Sequence, residues 1–236
     1  MSLIVTVKSA EGFVMAADSR VSMQVRNEGD LKGAAGIRHY SDHFPKIFLA
    51  PNGMGLSFCG EMAIEKGNLN VFTERFLKEK VTSDTPVSAV APMLLEYMRR
   101  LPKIPATIFH LCGYERKNGE AEPCFLRVIP KKNSIEEINE KQLVWDGEGD
   151  VLARLLSPVA IRTPQGGGPA LPDYPVAVSL FTLQDAVDFA DYAIRVTEET
   201  MGFQIRPKTV GGPRDILAIR PEESLWIRRK TLGEPK

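Results

Sequence analysis

The stretch MSLIVTVKSAEGFVMAADSR, residues 1–20, holds two short runs of strand-forming residues, LIVTVK (3–8) and GFVMAAD (12–18). The link Ser9-Ala10-Glu11-Gly12 ends in glycine, which signals a hairpin. With that link as the turn, Lys8 lies opposite Phe13, and counting back puts Leu3 opposite Asp18. Ser2 then falls within about one residue of Asp18, on strands about 5 Å apart. One place would hold a hydroxyl, a carboxylate and, once Met1 is removed, a free α-amine. Removal of Met1 is expected because methionine aminopeptidases act when the second residue is small.

The chemical interest lies in Ser2. A serine hydroxyl is a weak nucleophile and needs a base beside it. An α-amine, with a reference pKa of about 7.7–8.0, is partly neutral near physiological pH, where lysine is not. A terminal serine therefore carries nucleophile and base on one residue. A neighbouring lysine would lower the amine's pKa by like-charge repulsion, and a carboxylate would hold that lysine in place. Taken alone, the pattern reads more simply as a frayed terminus.

Composition narrows the field. The chain has 236 residues, room for one large domain or two small ones, and 43% of it is apolar. Thirty basic and thirty acidic residues cancel, which argues against the basic face of a nucleic-acid binder. No run is long and apolar enough to span a bilayer, and the N-terminus lacks the pattern of a signal peptide. A soluble cytoplasmic protein is expected. Cys59, Cys112 and Cys124 have the spacing of neither a disulfide framework nor a zinc site, and read as small buried hydrophobes. With His39, His43 and His110 scattered, no metal or cofactor is expected.

Along the rest of the chain, 22–45 is polar and glycine-containing and reads as a long loop. KIFLA (46–50) and GLSFCG (55–60) read as strands around Pro51-Asn52-Gly53. Residues 61–80 carry apolar residues at helical spacing, and 86–101 reads as a second helix with Pro86 in its first turn and a kink or late start at Pro92. Strands follow at 107–114, 123–129 and 140–145, then a helix at 149–156. RTPQGGGPALPDYP (162–175) reads as a loop, lacking the Lys and Ser/Thr of a phosphate-binding one. Thr182 and Asp185 open a strong helix with a capping box, and strands at 214–220 and 224–229 close the chain. Trp145 and Trp226 read as packing residues, and TERFLKEK (73–80) as a solvated face. Helices grouped rather than alternating with strands suggest a layered α+β domain.

In order, these residues resemble the proteasome β-type subunits and the bacterial proteasome-like peptidase that partners a hexameric ATPase. Those chains begin with a nucleophilic Thr and reach an Ala-Asp-x-Arg motif at the distance seen here. Ser2 falls on the nucleophile, Asp18 and Arg20 on the motif. PKIF (45–48) matches the segment carrying a catalytic Lys, here Lys46, and GLSFCGE (55–61) the strand after it. GEG (147–149) stands where the family has Gly-Ser-Gly, and GGPRDILAI (211–219) resembles its last core strand.

The resemblance implies an N-terminal-nucleophile (Ntn) hydrolase fold over residues 1–236 as a single domain. That fold is a four-layer αββα sandwich of two antiparallel sheets flanked by helices. It implies amide-bond hydrolysis through an ester on Ser2, with Lys46 tuning the electrostatics, Asp18 orienting Lys46, and Arg20 in support. Backbone N–H groups near Ser57 would stabilise the oxyanion. A peptide or protein substrate, self-association into rings and room for an ATPase partner go with it. The absence of an N-terminal extension favours a β-type chain.

The departures are specific. Ser2 replaces Thr, Ser57 replaces Gly, and Glu148 replaces the middle Ser, where a carboxylate would raise the amine's pKa. Pro207 and Val210, in RPKTVGG, stand where the family has Asp and Ser. The rewiring leaves a Ser-nucleophile amide hydrolase as the preferred reading, because Ser2, Asp18 and Lys46 persist together. A catalytically silent, ring-forming or binding subunit on the same fold is the alternative, and a transpeptidase-like enzyme the third.

Overall fold

The computed structural model describes residues 2–25, 36–64, 67–161, 163, 164 and 166–230. In chain order the elements are β1 (Leu3–Lys8), β2 (Phe13–Ala17), β3 (Val21–Val25), β4 (Gly36–Ser41), β5 (Ile47–Leu49), β6 (Gly55–Gly60), β7 (Ala63–Ile64), β8 (Gly67–Asn68), α1 (Leu69–Lys80) and α2 (Val87–Arg99). Then come β9 (Thr107–Lys117), β10 (Glu120–Ile129), β11 (Ser134–Glu137), β12 (Leu143–Gly147), α3 (Asp150–Leu156), α4 (Leu183–Phe203), β13 (Asp215–Ile219) and β14 (Ser224–Arg228). The fold is α+β. One five-stranded sheet runs β12-β1-β2-β13-β14 and another β11-β10-β9-β6-β5, with antiparallel pairing throughout both.

The first hairpin has the register counted from the sequence: Lys8 pairs with Phe13 and Ile4 with Ala17. β1 is flanked on both sides, by β2 and by β12. Its alternate residues serve two cores. Leu3, Val5 and Val7 pack with Ala186, Ala190, Ile194 and Leu152 of α4 and α3. Ile4, on the other face, joins Phe13, Met15 and Leu217 of the first sheet with Ile47, Cys59, Cys112 and Phe125 of the second. A strand buried on both faces needs apolar residues at nearly every position, hence the unbroken LIVTV. A third core sets Leu56, Phe58, Phe109 and Leu111 of the second sheet against Phe76, Val90, Leu94 and Met98 of α1 and α2. Each fully buried side chain of this size contributes about 1.5–3 kcal/mol.

Some sequence expectations are corrected. The stretch 22–45 is not simply a loop: β3 and β4 pair as a hairpin, and 26–35 lie outside the described residues. The helix expected over 61–80 begins only at Leu69, because the short β7–β8 pair and Gly67 come first. α2 runs through Pro92 from Val87. β11 was not foreseen, and the strand expected at 140–145 is β12, which starts three residues later and ends two later. β9 and β10 are joined by a tight turn in which Asn118 (φ 53°) and Gly119 (φ 88°) are both left-handed, as such a hairpin requires. The capping box at Thr182 and Asp185 is present. Among the described residues no helix is long and apolar enough to cross a membrane.

Candidate functional site

Asp18 follows the last residue of β2 and is fully buried. Its Oδ1 accepts hydrogen bonds from the Leu3 N–H (2.9 Å) and from Lys46 Nζ (2.7 Å). Its Oδ2 accepts from the N–H groups of Arg20 (3.0 Å) and Gly211 (3.1 Å). Four donors thus fill the carboxylate's main lone-pair directions. The arrangement ties the start of β1, the end of β2 and the loop before β13 to one side chain. Lys46, directly before β5, is also fully buried, and its Nζ donates a second bond to the Arg20 carbonyl (2.7 Å). Burial lowers the Lys46 pKa, against the attraction of Asp18, which raises it.

Ser2 lies at the same corner. It is buried, its carbonyl accepts from the Glu148 N–H (2.8 Å), and its hydroxyl has no hydrogen-bond partner among the described residues. The structure therefore brings Ser2, Asp18 and Lys46 together. Gly147 makes the close approach of Glu148 feasible. Its φ is +100°, and a Cβ there would stand 1.8 Å from the Ser2 carbonyl oxygen.

The supporting residues are placed less uniformly. Arg20 grips Asp42 with two bonds (Nε to Oδ1, 2.7 Å; Nη2 to Oδ2, 3.0 Å), and this contact holds the Asp42 carboxyl below its usual range. The Arg20 guanidinium lies flat against Gly211, where a Cβ would meet it at 2.5 Å. Ser57 sits in the middle of β6, paired with Ile47 on one side and His110 on the other. Its main chain is committed to the sheet, the neighbouring Phe58 N–H donates to the Lys46 carbonyl (3.0 Å), and its hydroxyl is buried with no partner among the described residues. Neither of these two N–H groups is free to receive an oxyanion.

Glu148 is engaged by a residue the sequence reading passed over. Arg206, beyond the end of α4, donates from Nη2 to Glu148 Oε2 (3.1 Å) and from both terminal nitrogens to Asp150 (2.7 and 3.0 Å). Its hydrogen bond drives the Asp150 pKa down to about 2. Lys230 was likewise missed. Its Nζ contacts Asp215 and donates to Ser19 Oγ (2.7 Å), next to Asp18. Neither contact has a local signature, since the partners are far apart in the chain.

A second buried polar group joins the two sheets. Thr6 of β1 contacts His110 Nδ1 (2.9 Å), and His110 Nε2 contacts Asp146 Oδ2 (2.8 Å). Asp146 is held in turn by Arg127 (2.8 and 2.5 Å). Burial lowers the His110 pKa, against the contact with Asp146, which raises it, and so favours the neutral ring. Because a carboxylate only accepts, the proton sits on Nε2 and Nδ1 accepts from Thr6. Among the described residues no group of three or more His, Cys, Asp or Glu side chains is placed to hold a metal ion. Two surface concavities, of about 310 Å³ beside α2 and about 390 Å³ beside β12, include none of Ser2, Asp18 or Lys46.

No protein-family model matches the chain, and no curated protein matches it. Solved structures do. The chain is similar to an Anbu (Gly-1) mutant from Hyphomicrobium sp. strain MC1, with a TM-score of 0.59 and 18% identity over 98% of this chain and 87% of that one. It is also similar to Anbu (ancestral beta-subunit) from Yersinia bercovieri, with a TM-score of 0.52 and 17% identity over 95% of this chain and 87% of that one. At such identities the likeness is one of fold. It corrects the assignment drawn from the sequence motifs: the likeness is to Anbu chains, one of them described as an ancestral beta-subunit, and it shows the fold alone.

Proposed function

We propose that residues 1–236 form one domain of αββα layering that, once Met1 is removed, hydrolyses amide bonds in peptides or proteins with Ser2 as nucleophile. The observation that carries this reading is the sharing of one oxygen. Asp18 Oδ1 accepts from both the Leu3 N–H and Lys46 Nζ, so a buried cation is anchored one peptide from Ser2. The three cores, helix against sheet, sheet against sheet and sheet against helix, support the layering.

In this mechanism Ser2 Oγ forms a bond to the substrate carbonyl carbon while its proton passes through a water to the Ser2 amine. The amine then gives that proton to the departing nitrogen as the C–N bond breaks, leaving an ester on Ser2. Water adds to the ester carbonyl, its proton goes to the same amine, and the C–O bond breaks as Oγ is reprotonated. Lys46 favours the neutral amine by repulsion, and Asp18 and Arg20 hold Lys46. Self-association into a closed ring is part of the same reading.

A silent ring-forming or binding subunit is the second reading. It is favoured by the four donors on Asp18, which hold the corner together whether or not Ser2 reacts. Intact mass and labelling separate the two. The enzyme reading expects loss of Met1 and labelling of Ser2 by an epoxyketone, a reagent that needs both hydroxyl and amine. Retained Met1, acetylated Ser2, or labelling that persists in Ser2→Ala would overturn it.

A further inference from the structure

Glu148 presents a problem for a terminal base. Its N–H donates to the Ser2 carbonyl at 2.8 Å, so its main chain is fixed one residue from the start of β1. A carboxylate there favours the protonated amine, which is useless as a base. Its side chain is only 15% exposed, so water screens it weakly.

The charges of this corner come in pairs. From the β2–β3 link, Asp18 has Lys46 and Arg20 has Asp42. From β13 and the chain beyond β14, Asp215 has Lys230. From α4, Glu198 faces Arg214. From α3, Asp150 has Arg154 as well as Arg206. Among the described residues, Glu148 has Arg206 alone.

Resting on the function proposed above, we infer that Arg206 is a positioning residue that holds and neutralises the Glu148 carboxylate, keeping the Ser2 amine available as a neutral base near pH 7. Its two bonds to Asp150 fix the guanidinium, so it presents Nη2 to Glu148 from a rigid mount. Phe203 and Ile205, almost wholly exposed, show that the same segment is not held by apolar packing of those side chains. The ion pairs of Arg206 to Glu148 and Asp150 bridge it to the Ser2 corner.

The test measures the amine directly. Intact mass first establishes that Met1 is gone. Trace acetic anhydride then labels the Ser2 amine across pH 5–9 in the full chain, read by mass spectrometry of the N-terminal peptide. Peptide-hydrolysis rates are followed over the same range. In Arg206→Gln the midpoint of amine labelling should rise by about one pH unit, and kcat/KM at pH 7 should fall about tenfold with its acid limb moved by the same amount. Arg206→Lys should stay near the wild-type midpoint, and Arg206→Gln combined with Glu148→Gln should return to it. Glu148→Gln alone, which leaves Arg206 bonded to Asp150, guards against a variant that fails to fold and should not raise the midpoint. An unchanged midpoint in Arg206→Gln, or no return in the double variant, overturns the inference. A shift without hydrolysis sinks the hydrolase reading and leaves this one standing. Retained Met1 removes both.

Discussion

Lys46 Nζ and Asp18 Oδ1 stand 2.7 Å apart with both side chains wholly buried. Such a pair is unequal under substitution. In Asp18→Asn the ammonium keeps the Arg20 carbonyl but loses its counter-charge, and breaking a buried pair in this way costs about 3–5 kcal/mol. In Lys46→Met the carboxylate keeps the main-chain N–H groups of Leu3, Arg20 and Gly211 as hydrogen-bond donors. Urea unfolding should find Asp18→Asn the more damaging of the two, and both should abolish Ser2 labelling. Equal or reversed stability losses would contradict this account of the corner.

Ser2 predicts the opposite combination. Its hydroxyl is buried and has no partner among the described residues, a state that costs stability. Ser2→Ala removes the orphaned group and should raise stability by about 1 kcal/mol, while peptide hydrolysis disappears. A hydroxyl that served structure instead would show as a loss of stability in the same unfolding measurement.

What could be read from the chain follows from how local each contact is. The first hairpin was legible because its turn and both strands lie within 20 residues, and its register alone puts Leu3 opposite Asp18. Lys46 was legible only through the PKIF motif. β3 and β4 were hidden because VSMQV and GIRHYS are short runs within a polar, glycine-containing stretch, although Ser22 and Gln24 alternate with apolar residues as a strand's would. The late start of α1 was hidden because the helical spacing of Ile64, Val71 and Phe72 continues across Gly67. Arg206 and Glu148 are 58 positions apart, and nothing in either neighbourhood announces the pair. His110 was set aside as one of three scattered histidines, yet it joins two sheets by contacts 104 and 36 positions away.

That histidine gives a pH dependence with a definite sign. Burial lowers its pKa in the folded chain, whereas in the unfolded chain it titrates near 6.5. Below about pH 6.5 the unfolded state therefore gains a proton that the folded state does not. Stability should fall as pH drops from 6.5 toward 5, by up to about 1.4 kcal/mol per unit. Asp146 does not contribute in this window: although burial pulls its pKa up, the contacts with His110 and Arg127 bring it below 3.8. In His110→Gln the urea midpoint should vary less between pH 6.5 and 5. The wild-type slope retained in that variant would rule out His110 as its source.

Gly147 tests whether the main chain, and not only the side chains, sets the nucleophile. Its φ of +100° is strained for any residue with a Cβ, and that Cβ would fall 1.8 Å from the Ser2 carbonyl oxygen. Gly147→Ala must therefore move Ser2, break the 2.8 Å bond from the Glu148 N–H, or both. The strain alone is worth about 1–3 kcal/mol. Gly202, near the end of α4, is the matched control, since a Cβ there meets nothing within 4 Å among the described residues. Gly202→Ala should be neutral or stabilise by up to about 1 kcal/mol and leave labelling unchanged. Gly147→Ala should lower the rate of Ser2 labelling at least tenfold, even at temperatures where circular dichroism shows the chain still folded. If labelling survives while stability falls, the Gly147 turn supports the fold without positioning Ser2.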